Sequence, residues 1–134
     1  MEFLADPTGE QIAEVERGLD EHNAVLASAR SATRVRGVFV ESGRVVAGLD
    51  AAAYWGKLHL RLLWVDPDYR AKGLGRRLME WAEERGRETG CVSVMVDTMS
   101  FQAPDFYAKL GYRCFGQSDG YQGGASRYYF EKDL

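Results

Sequence analysis

The fold is decided by one segment near the middle of the chain, Val65-Asp66-Pro67-Asp68-Tyr69-Arg70-Ala71-Lys72-Gly73-Leu74-Gly75-Arg76-Arg77. An apolar run precedes it and an amphipathic pattern follows, which predicts a buried strand that turns through two glycines into a helix. Such a turn directs backbone N–H groups at one point, and the positive end of the helix dipole adds to their field. The segment also holds four cations within eight residues, at positions 70, 72, 76 and 77. It therefore predicts a cradle for a multiply charged phosphate ligand.

Two familiar phosphate-binding patterns do not fit this segment. The dinucleotide fingerprint needs a third glycine where the chain has Leu78. A Walker-type loop needs GxxxxGK followed by Ser or Thr, and the chain contains no such sequence. The alternative for Gly73 and Gly75 is a plain strand-to-helix turn surrounded by solvated basic side chains, and the glycines alone do not decide between the two.

The remaining sequence predicts strands and helices mixed in one layered system. An amphipathic helix is expected over residues 10–29, interrupted at Gly18, and a hairpin over residues 33–49. Residues 58–65 alternate apolar and basic side chains and then become wholly apolar, which predicts a strand that is first half covered and then fully buried. Further elements are expected as a helix from 74 to Gly90, a strand over 91–97, a short helix over 104–110, and strands over 112–116 and 126–132.

Two motifs give the chain a resemblance to a known family. Arg70-Ala71-Lys72-Gly73-Leu74-Gly75 matches the R/Q-x-x-G-x-G/A signature of the GNAT superfamily of acetyl-CoA-dependent N-acetyltransferases. Residues 103–112, APDFYAKLGY, resemble that family's A-x-x-F-Y-x-x-x-G-[FY] segment. The resemblance covers residues 44–134, and the earlier region is compatible with it. It implies a single α/β (α+β) domain over residues 1–134, with a mixed, mostly antiparallel sheet of six to seven strands, splayed at its centre and flanked by about four helices.

The resemblance also implies a co-substrate, acetyl-CoA, and no metal. The amides of the glycine turn would bind its pyrophosphate, through Arg70, Ala71, Lys72, Gly73, Leu74 and Gly75 with Arg76 beside them. The backbone of Leu63 and Val65 would pair with the pantetheine arm like an added strand. Ser100 stands where many members carry an asparagine that contacts this arm, and a serine could still donate one hydrogen bond there.

The resemblance places Tyr107 where many relatives use a tyrosine as general acid. Expelled coenzyme A is a thiolate with a free-thiol pKa of about 8.5, and a phenol with a pKa of about 10 can protonate it while staying protonated itself at neutral pH. The alternative is that Phe106 and Tyr107 are both packing residues.

A general base is harder to assign, because the two positions where relatives carry a glutamate hold His59 and Arg61. Lys57, His59 and Arg61 are expected on one strand face, where neighbouring cations disfavour imidazolium and keep His59 a neutral base. A polar surface histidine and a water relay are the alternatives. The amine needs such help, since removing its proton at neutral pH costs about 4–5 kcal/mol.

Composition limits the partners. Lys and Arg number 17 against 20 Asp and Glu, giving a net charge of −3, which disfavours nucleic acid as a partner. No apolar stretch is long enough for a membrane span, and the acidic N-terminus is unlike a secretory signal, so a cytoplasmic protein read as it stands is expected. Cys91 and Cys114 lack CxxC spacing, which fits a reducing compartment.

The acceptor is expected to be an amine of a small molecule or a peptide, attacked directly in a ternary complex. Asp97 and Asp119 are candidates for attracting a cationic amine. The late aromatic residues could line an acceptor pocket, form a homodimer interface or simply be buried; they are Tyr121, Tyr128, Tyr129 and Phe130. The non-enzyme alternative is a coenzyme A-binding or acyl-CoA-binding sensor without turnover.

Overall fold

The computed structural model describes residues 1–26 and 32–134. The chain divides into two compact units, residues 1–31 and residues 32–134, and each is described by itself. Within the described residues, no helix is long and apolar enough to cross a membrane. The assignment of residues 1–134 to one domain stays a prediction.

The first unit contains helix α1, Gly9–Leu26. Thr8 and Gln11 cap it reciprocally: the Gln11 N–H donates to Thr8 Oγ1 at 3.2 Å, and the Thr8 N–H donates to Gln11 Oε1 at 2.8 Å. The predicted interruption at Gly18 is wrong, because α1 runs through that residue. A glycine inside a helix costs about 1 kcal/mol relative to alanine but keeps its backbone hydrogen bonds. Residues 27–29 of the predicted helix lie outside the described residues.

The second unit is a six-stranded sheet with helices, in the strand order β1-β2-β3-β4-β6-β5. All neighbouring strands are antiparallel except β3 and β4, which confirms the predicted mixed, mostly antiparallel sheet. The elements are β1 (Thr33–Glu41), β2 (Arg44–Tyr54), β3 (Lys57–Val65), α2 (Leu74–Glu88), β4 (Ser93–Met99), α3 (Pro104–Lys109), β5 (Arg113–Ser118) and β6 (Arg127–Asp133), with 3-10 turns at Pro67–Tyr69 and Gln122–Gly124. About four helices were expected, and the described residues hold three α-helices.

The sheet opens at its centre, as predicted. Strands β3 and β4 are paired only at their first residues, Lys57 with Ser93, Leu58 with Val94, and His59 with Met95. Beyond these three pairs each strand keeps only its outer neighbour, β2 or β6. The facing backbone edges of β3 and β4 therefore lack strand partners in their second halves.

A β-bulge in β3 changes which side chains face the core. Ala51 pairs with Leu60 and Asp50 with Leu62, so Arg61 is an extra residue in β3. After the bulge, Leu63 and Val65 pack against the core. Leu62 and Trp64 lie about half exposed, at 53% and 47%. The prediction that the second half of this strand is fully buried is therefore wrong: side chains still alternate between the two faces of the strand, and the bulge exchanges which of them face outward.

Helix α2 packs on β1 to β4 through an apolar face that includes Leu78, Met79 and Ala82. The same helix buries one carboxylate, Glu83. Lys132 Nζ of β6 donates to both Glu83 oxygens at 2.8 and 3.2 Å, and the hydroxyl of Tyr112 donates to Oε1 at 3.2 Å. These bonds satisfy the buried charge and join α2 to the far half of the sheet.

Replacing Glu83 with Ala should therefore lower the free energy of unfolding by about 3 kcal/mol, because Lys132 and the buried Tyr112 hydroxyl lose their shared acceptor. Urea denaturation followed by circular dichroism measures this change. Glu80→Ala on the same helix is the matched control: its pair with Arg76 spans 3.9 Å at the surface and should contribute less than about 0.5 kcal/mol. Equal losses in the two variants would contradict the role given to Glu83.

Candidate active site

A cavity of about 810 Å³ lies where β3 and β4 separate. It reaches from the glycine turn before α2 to the start of α3. Its lining comprises residues 60–65 of β3, Tyr69, Arg70, Ala71, Gly73, Leu74, Gly75, Arg76, residues 96–98 of β4, Phe101, Gln102, Ala103, Phe106, Tyr107, Lys109 and Leu110. One space therefore joins the two motifs that stand far apart in the sequence.

The turn before α2 needs its glycines for two different reasons. Gly73 is the N-cap of α2 with φ +79°, a left-handed conformation that favours glycine. Gly75 has no such φ, but a Cβ there would lie 3.2 Å from the ring of Phe106 and 3.7 Å from Val65. Gly75 thus lets the first turn of α2 approach both β3 and α3.

The strand end before this turn is held by polar contacts. Asp66 is buried and accepts hydrogen bonds from Arg44 Nη1 at 2.7 Å and from the Asp68 N–H at 2.9 Å. The Arg44 guanidinium, followed by the Asp68 N–H, holds the pKa of Asp66 below its usual range. Arg70 Nε donates to the Val65 carbonyl at 3.1 Å. The backbone entering the cradle is thereby fixed.

The four cations of this segment separate into two pairs. Arg70 and Arg76 line the cavity. The ammonium of Lys72 lies 5.1 Å from the centre of the Tyr69 ring, and the guanidinium of Arg77 lies 4.7 Å from the centre of the Phe39 ring. Neither Lys72 nor Arg77 lines the cavity. Lys109, which sequence reasoning missed, is a further basic residue of the lining.

Tyr107 is 7% exposed and lines the cavity. Its ring contacts those of Phe106 and Tyr112 edge-on, with centroids 5.2 and 5.9 Å apart, and lies 6.0 Å from the ring of Phe130. Burial raises the pKa of its hydroxyl from 10.0 to about 12, and the negative charge of Asp97 adds to the shift. The ring is fixed by packing while the hydroxyl remains a proton donor.

His59 lies outside this lining, in the part of β3 that is still paired with β4. Its ring stacks on Tyr54, with centroids 4.0 Å apart and planes 10° apart. Burial lowers the pKa of His59 from its usual value and the charge of Lys57 lowers it further, which agrees with a neutral imidazole. The Arg61 side chain is bonded to Asp50: its Nε donates a hydrogen bond to Asp50 Oδ2 at 2.8 Å. The structure brings Tyr107, but not His59, to the cavity.

Ser100 also lies outside the lining, while Gln102 forms part of it. The Ser100 hydroxyl accepts a hydrogen bond from the Ser126 N–H at 3.0 Å, and the Ser100 N–H donates to the Ser126 carbonyl at 2.8 Å. Gln102 Oε1 accepts from the Met99 N–H at 2.7 Å, so its amide group is held at the end of β4. Sequence reasoning missed Gln102 because no motif marks it.

The described part of the chain holds no cluster of three or more His, Cys, Asp or Glu side chains placed to bind a metal ion.

Asp97 lines the cavity from β4 and pairs with Arg127. Asp119 is bonded instead to Gln117 and Ser126, with 2.7 and 2.6 Å between the polar atoms. Of the two candidate amine-attracting carboxylates, the structure brings Asp97 to the cavity.

Comparisons with known proteins identify a family model, a sequence relative and solved structures of the same fold. A family model described as the acetyltransferase (GNAT) family matches residues 5–112. A blasticidin-S acetyltransferase from Streptomyces morookaense is 42% identical over 95 residues, covering 70% of this chain and 70% of that protein. The crystal structure of an acetyltransferase from Bacillus cereus has a TM-score of 0.91 at 30% identity, covering 100% of this chain and 99% of that one. An aminoglycoside 6'-N-acetyltransferase complexed with coenzyme A shares the fold, with a TM-score of 0.67 at 17% identity over 94% of this chain and 81% of that one.

The raised pKa of Tyr107 gives a direct titration test. The near-ultraviolet absorbance of tyrosinate should show a transition near pH 12 in the wild-type protein that is absent in Tyr107→Phe. The folded state holds this proton more tightly than the unfolded state, so its contribution to stability is complete below about pH 10 and is lost as the pH rises towards about 12. Loss of a transition near pH 10 in the variant would contradict the buried environment described for Tyr107.

Proposed function

The chain belongs to the acetyltransferase (GNAT) family, and on that premise we propose that it transfers the acetyl group of acetyl-CoA to an amine by direct attack in a ternary complex. The observation that carries this proposal is the single cavity that joins the glycine turn, the open edge of β3 and the hydroxyl-bearing Tyr107. The cavity thus combines an anion site, a backbone edge that can pair with an extended ligand, and a proton donor for the leaving group.

The residues present fit coenzyme A. The N–H groups at the start of α2 and the cations of Arg70 and Arg76 would hold its pyrophosphate, and Gly75 lets the Phe106 ring and Val65 pack closely against this turn. The edge of β3 at Leu63 and Val65, which has no strand partner on the β4 side, would pair with the pantetheine arm. The bound co-substrate supplies an activated thioester carbonyl. Gln102, in place of Ser100, brings an amide group to the same cavity from the end of β4.

Tyr107 would act as the general acid. As the amine nitrogen forms its bond to the acetyl carbon, the carbon–sulfur bond breaks and the electron pair goes to sulfur. The phenol proton then moves to that sulfur, and the tyrosine regains a proton from the amine through solvent. A phenol with a pKa of about 12 stays protonated throughout the neutral range, so the donor form is always the resting form.

The route of the amine proton is proposed to run through water in the open cavity. His59 has the protonation state that a base needs, since burial lowers its pKa, but its ring is stacked on Tyr54 and does not line the cavity. The base role predicted for His59 stays a prediction that substitution can test.

The sensor alternative is less well supported. A protein that only binds an acyl-CoA needs the cradle and the strand edge but has no use for a fixed phenol at the end of the cavity. A relative covering 70% of the chain is named for acetylating a small molecule, which favours a small-molecule amine over a peptide as the acceptor.

Replacing Tyr107 with Phe should lower kcat about a hundredfold, because the ring packing is kept and only the proton donor is lost. Release of free thiol from acetyl-CoA across a panel of amines measures the rate. Tyr128→Phe is the matched control, since Tyr128 packs against the core and does not line the cavity. An unchanged kcat in Tyr107→Phe would contradict the acid role of Tyr107.

In the same assay, the kcat of His59→Gln should stay within about threefold of the wild-type value. A loss as large as that of Tyr107→Phe would instead favour His59 as the general base.

Replacing Gly75 with Leu should weaken coenzyme A binding at least about tenfold, because the new side chain must displace the Phe106 ring and with it the first turn of α2, whose N–H groups form the cradle. Isothermal titration calorimetry with coenzyme A measures the dissociation constant, and thermal unfolding checks that the fold survives. Gly9→Leu is the control, because a Cβ at that position meets no atom within 4 Å. Undiminished affinity in a folded Gly75→Leu variant would refute the cradle and with it the proposed co-substrate.

A further inference from the structure

Asp97 occupies a distinctive place in the cavity. It lies in β4 two residues beyond Met95, the last residue paired with β3, so the two strands have already separated at its position. Its backbone is held on the outer side by pairing with Tyr129 of β6. Its side chain is 38% exposed, and the residue lines the cavity. A rigid strand therefore presents this carboxylate at the open centre of the sheet.

Within the described residues, only one of the two carboxylate oxygens of Asp97 accepts hydrogen bonds. Both hydrogen bonds from Arg127, from Nε at 2.7 Å and from Nη2, go to Oδ2 of Asp97. Within the described residues, none donates a hydrogen bond to Oδ1. A carboxylate can accept about four hydrogen bonds through its two oxygens. Arg127 therefore occupies one oxygen of the group and leaves the other for a ligand.

The other charged residues that line the cavity are positive, opposite in sign to Asp97. Among the described residues that line the cavity, the charged ones other than Asp97 are Arg61, Arg70, Arg76 and Lys109. A polyanion is attracted to the basic part, whereas a cation gains only near Asp97, because it is repelled everywhere else in the lining. The carboxylate also lies near enough to Tyr107 to contribute to the raised pKa of that hydroxyl. The charge of Asp97 therefore acts close to the Tyr107 hydroxyl.

Part of the lining of the same cavity is apolar and exposed. Leu62, Trp64 and Phe101 line the cavity and are 53%, 47% and 73% exposed. The bulge at Arg61 is what turns Leu62 and Trp64 outward in β3. These side chains can cover the hydrocarbon or ring portion of a ligand whose charged end lies at Asp97.

We propose that Oδ1 of Asp97 binds the ammonium form of the acceptor, so that the preferred acceptors are small amines that are cationic at neutral pH and carry an apolar or ring-shaped body. This inference rests on the proposed acetyl transfer and adds the class of acceptor. Before attack the bound ammonium gives a proton to water, and the freed nitrogen lone pair then forms the bond to the acetyl carbon. Asp97 acts in binding and positioning and does not need to change its own protonation state.

The test uses two six-membered-ring amines of similar shape and different charge at neutral pH. Cyclohexylamine is protonated there and aniline is neutral. In Asp97→Asn, the KM for cyclohexylamine should rise at least about tenfold with kcat largely kept, as expected for loss of a hydrogen bond between charged groups. The kinetic constants for aniline should change less than about twofold; if aniline is not acetylated, its inhibition constant against cyclohexylamine serves instead. The affinity for coenzyme A, measured by calorimetry, should stay at the wild-type value because the cradle lies elsewhere in the cavity.

Arg127→Gln separates ligand binding from a structural role. It removes the partner of Asp97 but keeps the carboxylate, so the preference for cyclohexylamine over aniline should remain. Equal losses for both amines in Asp97→Asn would overturn the inference, as would a selective loss in Arg127→Gln that equals that of Asp97→Asn. A wild-type protein that turns over other amines but not cyclohexylamine would also overturn it while leaving acetyl transfer intact. Absence of thiol release with every amine would contradict the proposed function itself.

Discussion

Everything at this site depends on how little β3 and β4 pair. Three residue pairs join them, and beyond His59 and Met95 their facing edges separate. An unpaired backbone edge inside a sheet is costly when buried, because its N–H and C=O groups lose their partners. Here the edges border an open cavity of about 810 Å³, where water or an extended ligand can satisfy them. The sheet stays intact because β2 and β6 hold the two arms from outside.

The two sequence motifs form one packing unit across this opening. The glycine turn follows the end of β3, and the F-Y segment begins α3 after β4. Gly75 and Phe106 are in contact, since a Cβ at Gly75 would come within 3.2 Å of the Phe106 ring. The spacing within each motif therefore reflects a constraint between motifs: the first turn of α2 must approach α3 closely enough to close the cavity on that side. Glu83, bonded to Lys132 and Tyr112, ties the same helix to β6 and to the end of α3.

Sequence reasoning succeeded where a residue type has one local reason to be present. Gly73 has positive φ, and such a position favours glycine whatever surrounds it, so the turn and the strand before it could be predicted. The bulge at Arg61 could not be predicted, because the change from alternating to wholly apolar residues at this place fits a strand that becomes fully buried equally well, and only the register with β2 distinguishes the two. Ser100 was assigned by motif position, but its hydroxyl is bonded to Ser126, which lies 26 residues away. Contacts between distant segments decide such cases, and a local pattern carries no information about them.

The charge distribution explains how an acidic chain can hold a polyanion. Several of its cations are paired with carboxylates away from the cradle: Lys57 with Glu131, Arg36 with Asp50, and Lys132 with Glu83. In the described part of the chain, Arg70 and Lys109 form no salt bridge, and the pair of Arg76 with Glu80 spans 3.9 Å. The net charge of −3 is thus compatible with a basic cavity, because charge is neutralised pairwise elsewhere and left uncompensated here. Asp97 places a negative charge at one point of that cavity, and its ion pair with Arg127 partly neutralises that charge. The arrangement separates a site for phosphates from a site for an ammonium group within one opening of the sheet, which is what a reaction between an anionic donor and a cationic acceptor requires.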